Sequence, residues 1–226
     1  MTQGLLKPTT YAEKKIINDI LNNTYAPGDT LPAERILAQS LGVTRPTLRE
    51  VLQRLSKEGW VIIRHGKPTQ VNHYLENGGL AILGALARNG HDLPPDMVVH
   101  LLEVRAAILP DIALKASKKG GPALRAYLKE AGSLTPSPTS LTDYDWQLQM
   151  LMVKLCGNPV FKMMFNDFAP AYRVLGRNYF KDKAARALTL RYYENLINAL
   201  ERDTGDIKEI VERMMKKTRE TWQSLQ

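Results

Sequence analysis

Apolar residues at Leu48, Val51, Leu52 and Leu55 recur at the spacing of one helix face, while the opposite face carries Arg45, Thr47, Arg49 and Gln53. Thr44 suits the cap of that helix, because its hydroxyl can accept from an orphan N–H of the first turn. Pro46 fits the same turn, where a missing N–H costs nothing. A shorter helix is expected before it, opening at Pro32, running through Ala38 and Leu41 and stopping at Gly42-Val43. After it, Trp60-Val61-Ile62-Ile63 and Thr69-Gln70-Val71 read as strands around the turn His65-Gly66-Lys67-Pro68. Upstream, Thr10 and Glu13 fit a capping box opening a helix that runs to about Asn23, with Ile16, Ile17, Ile20 and Leu21 inward. Ala26-Pro27-Gly28-Asp29 reads as a turn.

Beyond the hairpin, Leu80 to Leu86 lies in a helix with an apolar face broad for a linker, one able to pack on both domains or on a second subunit. The remainder is helical by period. Breaks are expected at Asn89-Gly90, Gly120-Gly121-Pro122, Ser133 to Ser140, Gly157-Asn158-Pro159 and Asp203-Thr204-Gly205. With no alternating strand pattern there, the expected fold is mainly α. A helix-turn-helix with a hairpin wing covers 1–75, a linker helix 76–94, and an antiparallel bundle of six or seven helices 95–226.

Charge sharpens the reading of the first part. Residues 44–67 hold six basic side chains against Glu50 and Glu58, giving +4 in 24 residues. Residues 76–226 hold 21 basic and 17 acidic residues, the same excess spread over 151. Positive charge is thus concentrated where a helix would enter a major groove, the electrostatic footprint of a DNA reader. One cysteine, Cys156, excludes an intrachain disulfide and suits a reducing interior. No signal segment and no apolar run near the ~20 residues of a membrane span appears, so a cytoplasmic protein is expected. Phosphate-loop, G-x-S-x-G and dinucleotide fingerprints are absent, and all four histidines precede residue 101. No metal, no cofactor and no catalytic residue is expected.

Two apolar stripes in the bundle carry one charge each. Arg105 stands among Val98, Leu101, Leu102, Ile108, Leu109 and Ile112, and Asp145 among Leu141, Leu148, Met152 and Leu155. Either charge buried alone is costly, so the two should meet. That pair can be purely structural. It can also belong to a small-molecule cavity, since Tyr172, Gly176 and Tyr179 share one helix face and Tyr193 and Trp222 lie on the stripes of theirs.

LPAER at 31–35, LGVTRPTLREVLQRL at 41–55, and GW with HGKPT across 59–69 resemble the winged helix-turn-helix of the GntR family of bacterial transcription regulators. A thinner likeness to the family's fatty-acid-responsive members runs through almost the whole chain. The resemblance implies a homodimer on a palindromic double-stranded operator, repressing and activating lipid-metabolism genes. On that reading Arg45 and Arg35 contact guanines through their forked donors. Thr44, Thr47, Arg49 and Lys67 hold phosphates, and His65 and Gly66 reach a minor groove. It further implies that the bundle binds long-chain acyl-CoA and then releases DNA, with Arg105, Asp145, Tyr172, Tyr179, Tyr193 and Trp222 matching the polar pocket residues. Met215 and Thr218 stand where the family pattern has glycine and serine, so the channel would be narrower. Pro46 stands where close relatives carry threonine, which removes one polar DNA contact. Three other readings stay open: a constitutive DNA-binding protein with a ligand-free dimerisation bundle, a response to another small organic acid or thioester, and an enzyme on CoA thioesters.

Overall fold

The computed structural model describes residues 7–88, 95–202 and 205–225. The chain divides into two units, Met1–Asp92 and Leu93–Gln226, so the stretch read as a linker falls with the first unit as far as Asp92.

The first unit holds α1 (Pro8–Leu21), α2 (Glu34–Ser40), α3 (Arg45–Glu58), β1 (Val61–Ile62), β2 (Gln70–Val71), α4 (Tyr74–Asn77) and α5 (Ala81–Arg88). Its core is built by Ile16, Ile17 and Ile20 of α1 and the stripe Leu48, Val51, Leu52 and Leu55 of α3, all buried. Thr44 caps α3, its Oγ1 accepting from the Thr47 N–H at 3.3 Å, and Pro46 lies in the first turn as expected. Gly59 ends α3 at φ +94, a left-handed cap open to glycine at no steric cost. A Cβ on Gly59 would also stand 3.2 Å from Cα of Gly78.

Two helix starts differ from the expectation. Helix α1 opens at Pro8 with Lys7 at its cap, and no Thr10–Glu13 capping box forms. Glu13 is instead drawn into the core side, where its carboxylate meets the Arg54 guanidinium of α3 at 3.0 Å. Helix α2 opens at Glu34, leaving Pro32 ahead of the cap residue Ala33. The preceding chain is engaged elsewhere: Leu31 N–H donates to Thr69 O at 2.8 Å and Thr30 forms an isolated antiparallel bridge to Gln70 beside the two-stranded hairpin. The turn at Ala26-Pro27-Gly28-Asp29 forms, with Gly28 at φ +95 and the Ala26 N–H donating to the Asp29 carboxylate. The strands pair antiparallel, Val61 with Val71 and Ile62 with Gln70, and are shorter than expected; the Trp60 N–H donates instead to Leu55 O at the end of α3, at 2.9 Å.

Every regular element among the second unit's described residues is helical: α6 (Pro95–Lys129), a 3-10 turn at Glu130–Ser133, α7 (Pro138–Cys156), α8 (Pro159–Tyr179), α9 (Lys183–Arg202) and α10 (Ile207–Ser224). The expected break at Gly120-Gly121-Pro122 is a kink within α6, with Gly120 at φ −149 and ψ 34. A Cβ there would stand 2.6 Å from Leu155 Cδ2, so any side chain at the kink would force Leu155 of α7 to shift. Counting the kinked helix as two rods gives six. Ser137 and Ser140 form a reciprocal capping box that opens α7 inside the polar run. Gly157 at φ +78 and the Asn158 cap separate α7 from α8. The expected breaks at Asn89-Gly90 and Asp203-Thr204 lie outside the described residues. Leu109, Ile112, Leu148, Met152, Leu196 and Val211 are among the buried side chains that join α6, α7, α9 and α10 in one core.

Candidate functional site

The first unit presents a cationic face. Arg35 on α2, Arg45 at the start of α3, and Arg64, His65 and Lys67 on the wing are exposed. Arg35, Arg45 and Lys67 form no ion pair among the described residues, which leaves their charges available to an anionic partner. The Arg49 Nε, by contrast, lies 2.7 Å from Glu34 Oε2, so this arginine ties α3 to α2 with part of its guanidinium. Arg54 is held by Glu13 and Glu50. The Thr44 and Thr47 hydroxyls are 2.9 Å apart and hydrogen-bonded to each other at the exposed helix start. Pro46, exposed beside them, offers no side-chain donor. At the wing tip Gly66 adopts φ +70 with nothing near its missing Cβ, so the backbone there can approach a surface closely. The wing is anchored at its base, where Gln70 Nε2 donates to Gly28 O and Asn72 Nδ2 to Gly59 O, each at 2.8 Å.

In the second unit Arg105 and Asp145 do meet. The Asp145 carboxylate is buried and takes four donors. Its Oδ2 accepts from the Tyr172 hydroxyl, from Gln149 Nε2 at 2.7 Å and from Arg105 Nη2 at 3.4 Å; its Oδ1 accepts from the Tyr193 hydroxyl at 2.9 Å. Arg105 Nε donates to Gln149 Oε1 at 3.3 Å, and its guanidinium carbon lies 5.4 Å from the centre of the Tyr172 ring. Burial opposes the Arg105 charge, but Tyr172 and Asp145 outweigh it and hold its pKa above the ordinary value. Burial and the adjacent Asp145 charge push the Tyr172 and Tyr193 phenols well up, so both remain donors.

This network floors a cavity of about 930 Å3 of atom-free space, its open mouth included. Leu101, Trp146, Phe165, Phe168, Leu175 and Met215 supply much of an almost wholly apolar wall, and Arg105 and Asp145 are the charged residues among those that line it. Two polar groups in the wall stand out. The Tyr179 hydroxyl and the Trp222 indole N–H are shielded from solvent and have no hydrogen-bond partner among the described residues. Burial raises the Tyr179 pKa, while the nearby Thr218 and Thr221 hydroxyls act in the opposite sense without completing a bond to it. Thr218 spends its own proton on Met214 O at 2.9 Å.

Residues 8–71 match the gntR family of bacterial regulatory proteins, and residues 72–226 match the FadR C-terminal domain. Relatives described as fatty acid metabolism regulator protein, from Edwardsiella ictaluri and Klebsiella pneumoniae, are each 38% identical over 97% of this chain and 92% of their own. The chain belongs to the GntR family. It is a DNA-binding transcription regulator rather than an enzyme. The same fold occurs in the solved structure of Lar, which controls the expression of the Listeria monocytogenes agr system and mediates virulence. That structure superposes with a TM-score of 0.68 over 99% of this chain and 100% of the other, at 17% identity.

Within this GntR-family bundle the structure brings Arg105, Asp145, Tyr172, Tyr179, Met215, Thr218 and Trp222 to one cavity wall. Tyr193 lies elsewhere: it is 1% exposed, behind the Asp145 carboxylate and outside the lining. Gln149, which bridges both charges, escaped sequence reasoning although it lies one turn beyond Asp145 on the same helix. So did Tyr192 and Thr189 of α9, which close the cavity beside the network. Among the described residues no group of three His, Cys, Asp or Glu side chains is placed to hold a metal ion, and no helix is long and apolar enough to cross a membrane.

Proposed function

We propose that this regulator controls genes of fatty acid metabolism as a cytoplasmic homodimer on palindromic operator DNA, repressing some and activating others, and that a long-chain acyl-CoA in the bundle releases it. The buried donors Tyr179 Oη and Trp222 Nε1, without a partner among the described residues and carried by two side chains that line an apolar cavity, support the reading. A donor shut away from water without a partner costs free energy that an acceptor on a ligand would recover.

The charge balance of the wall favours a neutral acceptor. Arg105 is already neutralised by Asp145, so a free fatty acid would bring in an uncompensated carboxylate at a cost of several kcal/mol. A thioester carbonyl asks for donors and brings no charge. An acyl-CoA therefore fits where the corresponding acid does not, and the relatives' role in fatty acid metabolism is consistent with this ligand. Met215 is buried and lines the wall together with Thr218, where its side chain takes up space. No metal or prosthetic group takes part in this scheme. Ligand acts by favouring the form that does not bind DNA, as any effector must.

A gel-shift with the regulator's own promoter targets tests it. Palmitoyl-CoA should release the duplex and palmitate should not, and Tyr179→Phe should weaken the response to palmitoyl-CoA about tenfold. Retention of the duplex at saturating palmitoyl-CoA rejects this effector.

A further inference from the structure

A second depression lies between α9 and α10 on the other side of Tyr192 and Met214, two buried residues that line both it and the acyl cavity. Its character is the reverse of the first. Arg191 and Arg202 of α9 and Arg213 and Lys217 of α10 converge on it, opposed by Asp206 and Glu209. Glu209 is spent on Arg213 at 3.0 Å. Arg191, Arg202 and Lys217 form no ion pair among the described residues. Surface cations usually gain little from one another's company, and three placed around one hollow of about 1080 Å3 repel unless an anion joins them. The exposed Asn195 and Asn198 amides add neutral donors and acceptors to the same wall, and Leu188 and Ile210 give it an apolar floor.

We propose that this groove binds the phosphate groups of a nucleotide. Arginine forks match phosphate oxygens in pairs, the lysine serves as a point charge, and the asparagines suit the edges of a base or ribose. The nucleotide has two possible sources: the phosphorylated end of the CoA thioester whose acyl chain fills the neighbouring cavity, or a free nucleotide that binds separately. The first source rests on the acyl-CoA reading above; the groove itself does not.

The triple variant R191Q/R202Q/K217Q decides it, since all three side chains are exposed and their replacement leaves the core untouched. Binding of adenosine 3′,5′-bisphosphate, palmitoyl-CoA and palmitoyl-pantetheine, which has no phosphate, is measured by calorimetry on the full chain at low and high salt. Wild-type protein should bind the bisphosphate, more weakly as salt rises, and the variant should bind it at least tenfold more weakly. A matching loss for palmitoyl-CoA with unchanged palmitoyl-pantetheine assigns the thioester as the source; loss for the bisphosphate alone assigns a free nucleotide. Equal binding of the bisphosphate by variant and wild type, or none by wild type, overturns the groove. Failure of both palmitoyl ligands to bind would defeat the acyl-CoA reading and leave the bisphosphate result standing on its own.

Discussion

Asp145→Ala should be the most damaging single truncation in the bundle. The substitution removes the counter-charge of Arg105 and the acceptor of two buried phenols at once. Breaking a buried pair from one side costs about 3–5 kcal/mol. The Arg105 side chain keeps 18% of its surface in contact with solvent, against 6% for Asp145, which argues for the lower end of that range. Tyr193 has no such outlet, being 1% exposed, and an orphaned buried hydroxyl adds about 1–3 kcal/mol. These terms overlap because they share one carboxylate, so the expected loss is about 4 kcal/mol, or about 10–15 °C in the melting temperature of this unit. Urea unfolding of the full chain followed by helical dichroism, with calorimetry beside it, measures both. The double variant R105M/D145L, which removes both charges and fills the space, should recover at least half of the loss. A loss below about 1 kcal/mol for Asp145→Ala, or a double variant no more stable than the single one, would refute the claim that the carboxylate balances a buried charge.

Three further outcomes are expected. Arg45→Ala should weaken operator binding by about 1–3 kcal/mol and relax preference at one base pair, while Lys67→Ala weakens every sequence alike and lowers the salt slope by about one; equal, sequence-independent losses would contradict the assignment. Gly176→Ala would place a Cβ 2.7 Å from Thr142 Cγ2, an overpacking cost of about 1–3 kcal/mol that Thr142→Ser should partly relieve in the same urea assay. Alkali should loosen the bundle. Burial, with help from Glu130 and Asp145, pushes the Tyr127 phenol from 10 up to about 12, and Tyr144, Tyr172 and Tyr193 are also raised. The folded state therefore holds phenol protons that the unfolded chain releases above pH 10. Stability is complete below that value and falls as pH climbs toward 12, by up to about 1.4 kcal/mol per pH unit for each such tyrosine and less for half-exposed Tyr127. An unchanged urea midpoint between pH 9 and pH 11 would exclude this linkage.

What the chain reveals before folding follows the range of the forces involved. The start and inward face of helix α3 were legible because Thr44, Pro46 and the four-residue stripe all act within a turn or two of their own position, whereas its left-handed end at Gly59 went unread. The starts of α1 and α2 were not, because distant partners decide them. Glu13 leaves a capping box open to reach Arg54, and Leu31 is paired with Thr69 across the wing before a helix can begin. Arg49 shows the same limit on a functional face: its place opposite the stripe is a matter of period, but its pairing with Glu34, 15 residues away, is a matter of packing.

The cavity divides along the same line. A charge in an apolar stripe must be compensated, and that necessity connected Arg105 to Asp145 without coordinates. It could not count the partners. A carboxylate has room for several donors, and Asp145 uses that room for Tyr172, Gln149 and Tyr193 as well as the arginine, which is why Tyr193 became a support instead of part of the wall. Each donor spent on Asp145 is a donor withheld from a ligand. Among the polar groups left in the wall are those of Tyr179 and Trp222, whose hydroxyl and indole N–H, without partners among the described residues, can satisfy an acceptor but cannot neutralise an anion. On the proposed acyl-CoA reading, preference for a neutral carbonyl over a carboxylate would follow from how the network consumes its own charges, and Arg105→Met with Asp145 left in place should shift the cavity still further against anions.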